Sequence, residues 1–392
     1  MSTIGSILLV GLVAGVAPGC VTQRPSAAAL EFVPAQGSPF AAGPRPSRPA
    51  VADFNLDGKP DIALTCGTRE RPEEERILIL LNDGAGRFAP AEGGFPADVR
   101  VDKVTVADFN SDGKPDVAGV HHDSYNVHVF LGDGRGGLRP AAGSPFAAHT
   151  GQRPHTHDVA CADVNADGHA DILTTNADDD AISVLLGDGR GGFARAAGSP
   201  FAAARHPYAG IAIRDVSGDG KPDVVAPLVA SGAIGVYLGD GTGKFSPAPG
   251  SPYRVAERPG YAYVDDLNGD GRPDILATHD NVGMLDVLLN TGDGRFRPAP
   301  GSPVRVGRPA WTIVTADFDR DGNTDVLLSS QGRGALTLLM GDGRGGLSEA
   351  RVDLPTGDEP GSVAAADLNG DGKPDIITSN YASGDVTVLL VR

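Results

Sequence analysis

One acidic pattern recurs seven times along the chain. It reads Asp-x-Asn/Asp-x-Asp-Gly-x-x-Asp in VADFNLDGKPDIAL (51–64), VADFNSDGKPDVAG (106–119), CADVNADGHADILT (161–174) and IRDVSGDGKPDVVA (213–226). It continues in VDDLNGDGRPDILA (264–277), TADFDRDGNTDVLL (315–328) and AADLNGDGKPDIIT (365–378), the fourth copy having Ser at the third position. The first aspartates stand at 53, 108, 163, 215, 266, 317 and 367, so the interval runs from 50 to 55 residues. Oxygen-bearing side chains occupy positions 1, 3, 5 and 9. Hard cations such as Ca²⁺ take roughly six to eight oxygens, and alternate positions of a tight loop can aim side-chain oxygens at one centre. Gly at position 6 permits the sharp turn, and the carbonyl near position 7 can add a ligand. Carboxylates held this close repel one another unless a counter-charge is present. The chemistry expected is cation binding of a structural kind, because saturated cages leave little room for a substrate and sites spread around a ring do not converge.

The surrounding segments indicate what positions these loops. Each loop runs at once into β-formers such as DIAL and DVVA. Next comes a stretch with period-2 alternation, AISVLLGDG (181–189) or ALTLLMGDG (335–343), then a Gly-rich turn and a short outer segment such as GGFARAAGSPF (191–201). Four short antiparallel strands per repeat make one propeller blade. The expectation is an all-β, seven-bladed β-propeller of four-stranded antiparallel blades spanning residues 30–392, with repeats starting near 46, 101, 156, 208, 259, 310 and 360. The last repeat stops at DVTVLLVR (385–392), while LEFVPAQGSPFAAG (30–43) matches GGFARAAGSPFAAA (191–204). An N-terminal strand around Leu30 to Pro34 is therefore expected to complete the seventh blade and close the ring. The Gly-rich turns at Asn82 to Gly86, Gly132 to Gly136 and Gly187 to Gly191 lack the Lys-Ser/Thr pair and following helix of a phosphate loop, and read as hairpin turns.

Only the front half of the acidic loop is similar to an EF-hand, which needs a Glu at position 12 and flanking helices. A loop set between two strands, seven times over, resembles the FG-GAP or VCBS-type repeat family, whose members include the integrin α-subunit propeller. The resemblance covers residues 30–392 and implies about seven structural Ca²⁺ ions, each held between the first two strands of a blade. Carried over position by position, it assigns Asp53, Asn55, Asp57 and Asp61 to the first site and Asp108, Asn110, Asp112 and Asp116 to the second. Asp163, Asn165, Asp167 and Asp171 form the third, and Asp215, Ser217, Asp219 and Asp223 the fourth. Asp266, Asn268, Asp270 and Asp274 form the fifth, Asp317, Asp319, Asp321 and Asp325 the sixth, and Asp367, Asn369, Asp371 and Asp375 the seventh. Ser217 makes the fourth site the weakest expected, and four carboxylates make the sixth the tightest.

The chain has 392 residues and a formal charge of −17, a balance that argues against a nucleic-acid partner, since such partners need basic patches. Much of that charge belongs to the loops. Three Asp in each of seven loops, with Asp319, account for 22 of the 50 acidic residues. Three cysteines give no disulfide framework; Cys66 and Cys161 fall in different blades and are expected to be buried thiols. Residues Ile7 to Val16 form a ten-residue apolar run followed by Ala17-Pro18-Gly19-Cys20, with no Lys or Arg before Arg24. This reads as a leader over residues 1–20, with lipidation at Cys20 or ordinary cleavage after a small residue as the two outcomes, followed by a linker over 21–29. The chain is then expected at the bacterial cell surface, in the periplasm or outside the cell, as a monomer that touches a membrane only where Cys20 carries a lipid.

The segments leading into the first strands differ from blade to blade, and the topology puts them at the channel mouth opposite the acidic loops. They carry Arg153, His155 and His157; His206 and Tyr208; Arg258, Tyr261 and Tyr263; and Arg308 and Trp311. Other loops of that face supply His121, His122, Asp123 and Tyr125, then His279, Asp280 and Asn281, and Asn380 with Tyr381. Of these, His155, His157, Tyr208, Arg258, Tyr261, Arg308, Trp311 and Tyr381 are the candidate contacts for a protein or glycan ligand. His155-x-His157-Asp158 and His121-His122-Asp123 resemble catalytic or transition-metal sites, and the His155-x-His157 pair admits zinc ligation with a third ligand from another blade; loop histidines of this kind are usually solvated. The leading expectation is a calcium-stabilised binding, adhesion or scaffolding module. The competing one is a polysaccharide lyase or hydrolase working through the rim histidines, and a third is a surface protein whose rim binds nothing.

Overall fold

The computed structural model describes residues 30–68, 71–92, 101–330, 336–350, 352 and 354–392, the side chains of 71–74 excepted. The leader, the linker and Cys20 lie outside the described residues. Strands alternate with tight turns throughout, because β-branched and apolar residues alternate between Gly- and Asp-rich breaks. The third blade sets the pattern: Thr156–Ala162, Asp171–Asn176, Ala181–Gly187 and Phe193–Arg195 pair in that order, each antiparallel to the next. Seven such sheets follow one another along the chain. First strands of neighbouring blades abut, for example Ala310–Ala316 against Pro360–Ala366 and Thr156–Ala162 against Lys103–Ala107, so they line the central axis.

The seventh blade is completed from the other end of the chain. Phe32–Pro34 pairs antiparallel with Asp385–Val391, with Phe32 opposite Val391 and Pro34 opposite Leu389. Phe32 is buried and meets Phe318 of the sixth blade edge-on, ring centroids 6.1 Å apart. The closing strand thus supplies an interblade side chain as well as backbone hydrogen bonds.

The core is divided into seven apolar clusters, each built from two adjacent blades. One of them joins Leu64 and Leu80 of the first blade to Ile377 and Val388 of the seventh, so the ring is closed by packing. Each fully buried aliphatic side chain of this kind contributes about 1.5–3 kcal/mol.

The outer edge differs from the expected single fourth strand. In the third blade Phe193–Arg195 pairs with the end of Ala181–Gly187, and a separate strand, Phe201–Ala202, pairs with its beginning. Between them Ser199 Oγ accepts the Val184 N–H at 2.8 Å, serving a backbone donor that the broken edge leaves without a strand partner. Ser144, Ser251, Ser302 and Ser38 do the same for Val129, Val236, Val287 and Val388. In all five the Ser-Pro peptide is cis. The first and sixth blades lack the Gly-Ser-Pro sequence and, among the described residues, have one outer strand each.

Removing residues 23–36, and with them the Phe32–Pro34 strand, should lower the thermal midpoint sharply. Phe32→Ala alone should cost about 3–5 kcal/mol in denaturant unfolding. An unchanged melting curve for the deletion would show that closure does not rest on this strand.

Candidate functional site

The acidic loops join first to second strands at one end of the propeller, beside the Gly-rich turns that join third to fourth strands. Their position-9 carboxylates are fully buried in all seven blades. In the second blade Asp116 Oδ2 accepts the Phe109 N–H at 2.9 Å and Oδ1 accepts the Gly132 N–H at 2.7 Å. The same two bonds recur at Asp61, Asp171, Asp223, Asp274, Asp325 and Asp375. Each of these groups clamps the start of its loop to the end of the third strand. Burial pushes Asp116 and Asp325 up to about 7, and Asp61, Asp171, Asp274 and Asp375 up to about 6. The two backbone donors oppose that rise, and carboxylates at positions 1, 3 or 5 reinforce it. Asp223 is raised by burial as well.

Position 1 shapes the turn. Asp53 takes the Asp57 N–H on Oδ1 and the Gly58 N–H on Oδ2, at 3.0 and 2.8 Å, while Asn55 Oδ1 accepts the Asp57 N–H at 3.1 Å. Gly58 at position 6 has φ +83°, a left-handed conformation that glycine adopts without steric cost. Position 5 faces away in several loops: Asp57, Asp112 and Asp219 pair with the lysine two residues on, at 3.1, 3.0 and 3.3 Å. Against a burial penalty, those lysine hydrogen bonds hold the three carboxyls below the usual carboxylate range. In the sixth loop one oxygen from each of Asp317, Asp319 and Asp325 lies within 4.8 Å of the others. That oxygen-only donor set fits a hard cation.

The position-2 residues Phe54, Phe109, Val164, Val216, Leu267, Phe318 and Leu368 are at most 2 % exposed and plug the gaps between blades. Five of their carbonyls accept from the next blade: Gly136 N–H to Phe54, Gly191 N–H to Phe109 and Gly243 N–H to Val164, with the Asn290 and Asn82 side chains reaching Val216 and Leu368. The acidic pattern is therefore a structural joint whose polar rim faces solvent.

The opposite end carries the unlike side chains. His155 and His157 stand at the start of the third blade's first strand, with ring centroids 4.3 Å apart. His122 of the second blade lies 4.3 Å from His155 and 5.0 Å from His157, and Tyr208, leading into the fourth blade, lies 3.9 Å from His157. Burial, then the neighbouring imidazoles His155, His122 and His206 and the Lys103 cation, pushes His157 down to about 3. Arg258 makes a two-pronged ion pair with Asp280, Nε to Oδ1 at 3.0 Å and Nη2 to Oδ2 at 2.8 Å. His206 and Arg258 hold φ of +61° and +53°, strained values for residues with side chains, and such strain gathers at functional positions.

The candidate contacts divide accordingly. His157 meets both His155 and Tyr208, and all three are half-buried. Tyr261 lies deeper, where burial raises its hydroxyl to about 12 beside Asp158 and Arg48. Trp311, 39 % exposed, and Arg308 are on the rim of the sixth blade, and Tyr381 lies under the Arg45 guanidinium at 5.4 Å. Among the described residues these three make no ring contact or ion pair with the histidines. His279, read from sequence as a rim residue, is fully buried, with Nε2 2.8 Å from Asp286 Oδ2 and Nδ1 facing the Glu257 carbonyl.

Two features had no signal in the motif reading. Asp178, in the short 3₁₀ turn Ala177–Asp179, sits 2.9 Å from His155 Nδ1 and 3.7 Å from His206 Nδ1. Arg48 reaches along the axis to within 3.6 Å of Asp158, whose other oxygen accepts the Gly210 and Ile211 N–H groups. The Asp158 charge, against the cost of burial, raises Arg48 further above its ordinary value. The run Asp178-Asp179-Asp180 was the available clue to the first. No disulfide joins Cys66 and Cys161; Cys66 is buried as expected, whereas Cys161 is half-buried on the axis-facing first strand, its Sγ 3.1 Å from Thr105 Oγ1.

Asp116→Ala should destabilise the protein by about 2–5 kcal/mol in chelator as well as in calcium, because it leaves two buried N–H groups unpartnered. Lys114→Ala, on the exposed side of the same loop, should stay within about 1 kcal/mol. Urea unfolding in both buffers checks the pair.

Solved propellers share this architecture over nearly the whole chain. A lectin from Agrocybe aegerita that recognises non-reducing terminal N-acetylglucosamine is 19% identical, with a TM-score of 0.55 and coverage of 93% of this chain and 94% of its own. Virginiamycin B lyase from Staphylococcus aureus is 13% identical, with a TM-score of 0.53 over 92% of this chain and 98% of its own. A protein from Lactobacillus plantarum is 14% identical, with a TM-score of 0.59 over 84% and 95%. At these identities the likeness is one of fold. No curated protein sequence matches the chain. The FG-GAP-like repeat matches at residues 53–119, 108–174, 163–226, 266–328 and 317–378, which together make up well over half the chain. With seven blades and an acidic loop between the first two strands of each, the chain belongs to the FG-GAP-like repeat family.

Proposed function

We propose that the protein is an exported, calcium-stabilised propeller that binds a glycan at the mouth opposite its acidic loops. The observation that carries the binding reading is the half-buried wall of His155, His157 and Tyr208, with Arg258 and Asp280 beside it. Rings with polar edges next to a fixed charge pair suit the alternating apolar faces and hydroxyls of a sugar. The lectin that shares the fold gives a precedent for the ligand class. The apolar run over residues 7–16 of the leader at 1–20 supports export, with Cys20 as the candidate anchor.

Calcium is supported by the donor chemistry. Asp317, Asp319 and Asp325 offer converging oxygens in the sixth loop, and every loop pairs a buried position-9 carboxylate with a second carboxylate at position 1. Positions 1, 3 and 9 would hold the ion, with position 5 joining where its lysine partner is displaced. The ion supplies counter-charge to the joint between strands. At an affinity of ~10⁻⁴ M, common in extracellular modules, 1 mM Ca²⁺ stabilises by roughly 1.4 kcal/mol per site.

Chelation should lower the melting midpoint by at least about 10 °C, and Asp319→Ala should remove only one site's share of that shift. A midpoint that ignores chelator contradicts the calcium reading. On a glycan array, the calcium-loaded protein should select a defined set of sugars, and Tyr208→Ala or Arg258→Ala should weaken the leading hit at least tenfold. Binding that survives both substitutions would move the site away from this wall.

A further inference from the structure

The histidines at the mouth are arranged more closely than a sugar contact requires. One ring nitrogen from each of His122, His155 and His157 lies within 4.8 Å of the other two. Two of the rings are already oriented by carboxylates: His122 Nδ1 stands 2.7 Å from Asp123 Oδ1, and His155 Nδ1 stands 2.9 Å from Asp178 Oδ1. A neutral imidazole beside a carboxylate carries its proton on the nitrogen facing it, which leaves Nε2 as a lone pair. Carboxylates orient metal-bound histidines in this way. The third ring, His157, has a buried Nε2 with no hydrogen-bond partner, and a desolvated polar atom of that kind costs free energy until something satisfies it.

Three imidazoles from two blades, two of them locked by carboxylates and one with an orphaned nitrogen, select a borderline ion over the hard cation of the opposite face. We propose that His122, His155 and His157 bind one zinc-class transition-metal ion, with the fourth coordination position open at the mouth. Tetrahedral zinc places its donors about 3.3 Å apart, so the rings need only a small inward shift. Water, or an oxygen of a bound molecule, completes the coordination. Asp123 and Asp178 are positioning residues, since each acts through the ring it holds.

The proposal is independent of both the glycan and the calcium readings, and its test keeps them apart. The full chain, saturated with calcium, is titrated with Zn²⁺ by calorimetry and with Co²⁺ by visible absorption. One ion per chain should bind beyond the calcium complement, and Co²⁺ should give a tetrahedral d–d band that Zn²⁺ abolishes. His155→Ala and His157→Ala should each weaken zinc at least 100-fold, and Asp178→Asn by about 10–100-fold. His122→Gln, which keeps a polar side chain of similar reach, should also abolish the tetrahedral band. Each variant should melt with the wild-type calcium dependence, which shows that the ring is intact. Absence of zinc binding, or zinc binding unchanged in the His155→Ala, His157→Ala double variant, overturns the proposal; the second result would place the ion in the carboxylate loops.

Discussion

A buried carboxylate at the head of every second strand is the constraint on which the propeller depends. Asp116 and its six equivalents accept one N–H from the start of their own loop and one from the end of the third strand. Both donors are buried, and without the carboxylate they would have no acceptor at the point where the chain turns. Burying the carboxylate creates a second requirement, because position 1 is also an aspartate and its oxygens are already taken by the N–H groups of positions 5 and 6. The loop conformation is therefore built from its own side chains before any ion is considered, and the negative charge it concentrates is what a cation would relieve.

The same nine residues join the blades to one another. Position 2 fills the interblade core with its side chain and accepts from the next blade's turn with its carbonyl. Strand clamp, turn and interblade lacing thus share one short segment, so a repeat that lost its acidic loop would loosen two blades at once. This explains why all seven copies keep Asp at positions 1 and 9, while the exposed position 4 ranges from Leu56 to Arg320. It also leaves the acidic end with little that is singular.

The blades, their number and the closing strand were legible because the repeat states its period and its loop chemistry in residue types alone. What escaped was chemistry carried by position in space. The split outer edge rests on two-residue strands, shorter than any alternation can register, and on serine hydroxyls acting as stand-in acceptors. His279 has the same surroundings in sequence as a rim residue, yet its ring turns inward to Asp286, a partner seven residues away across a hairpin. Arg48 lies in an unpatterned Pro-rich stretch, and nothing local announces that it meets Asp158 on the axis. The His155–His157 pair and the His121-His122-Asp123 run were visible separately; His122 meets the pair because blades two and three stand side by side, and Asp178 because the third blade's own turn folds back onto His155.

Whether the mouth chemistry is a by-product of folding can be argued from two turns of the same shape. Blades three and four both connect their second and third strands by a three-residue 3₁₀ turn ending in a left-handed residue, Asp180 at φ 51° and Gly232 at φ 59°. Their backbones make the same bond, from the left-handed residue's N–H to the first carbonyl of the turn. The fourth blade builds this turn from Val229, Ala230 and Ser231. The third uses Ala177, Asp178 and Asp179, whose carboxylates reach His155, His206 and Tyr125. Since Val-Ala-Ser suffices for the backbone, the aspartates are not needed to form the turn. Their effect is on the rings they hold, and those rings come from three separate stretches of the chain. A carboxylate-braced histidine cluster placed on a turn that folds without it is what a binding site requires and a structural joint does not.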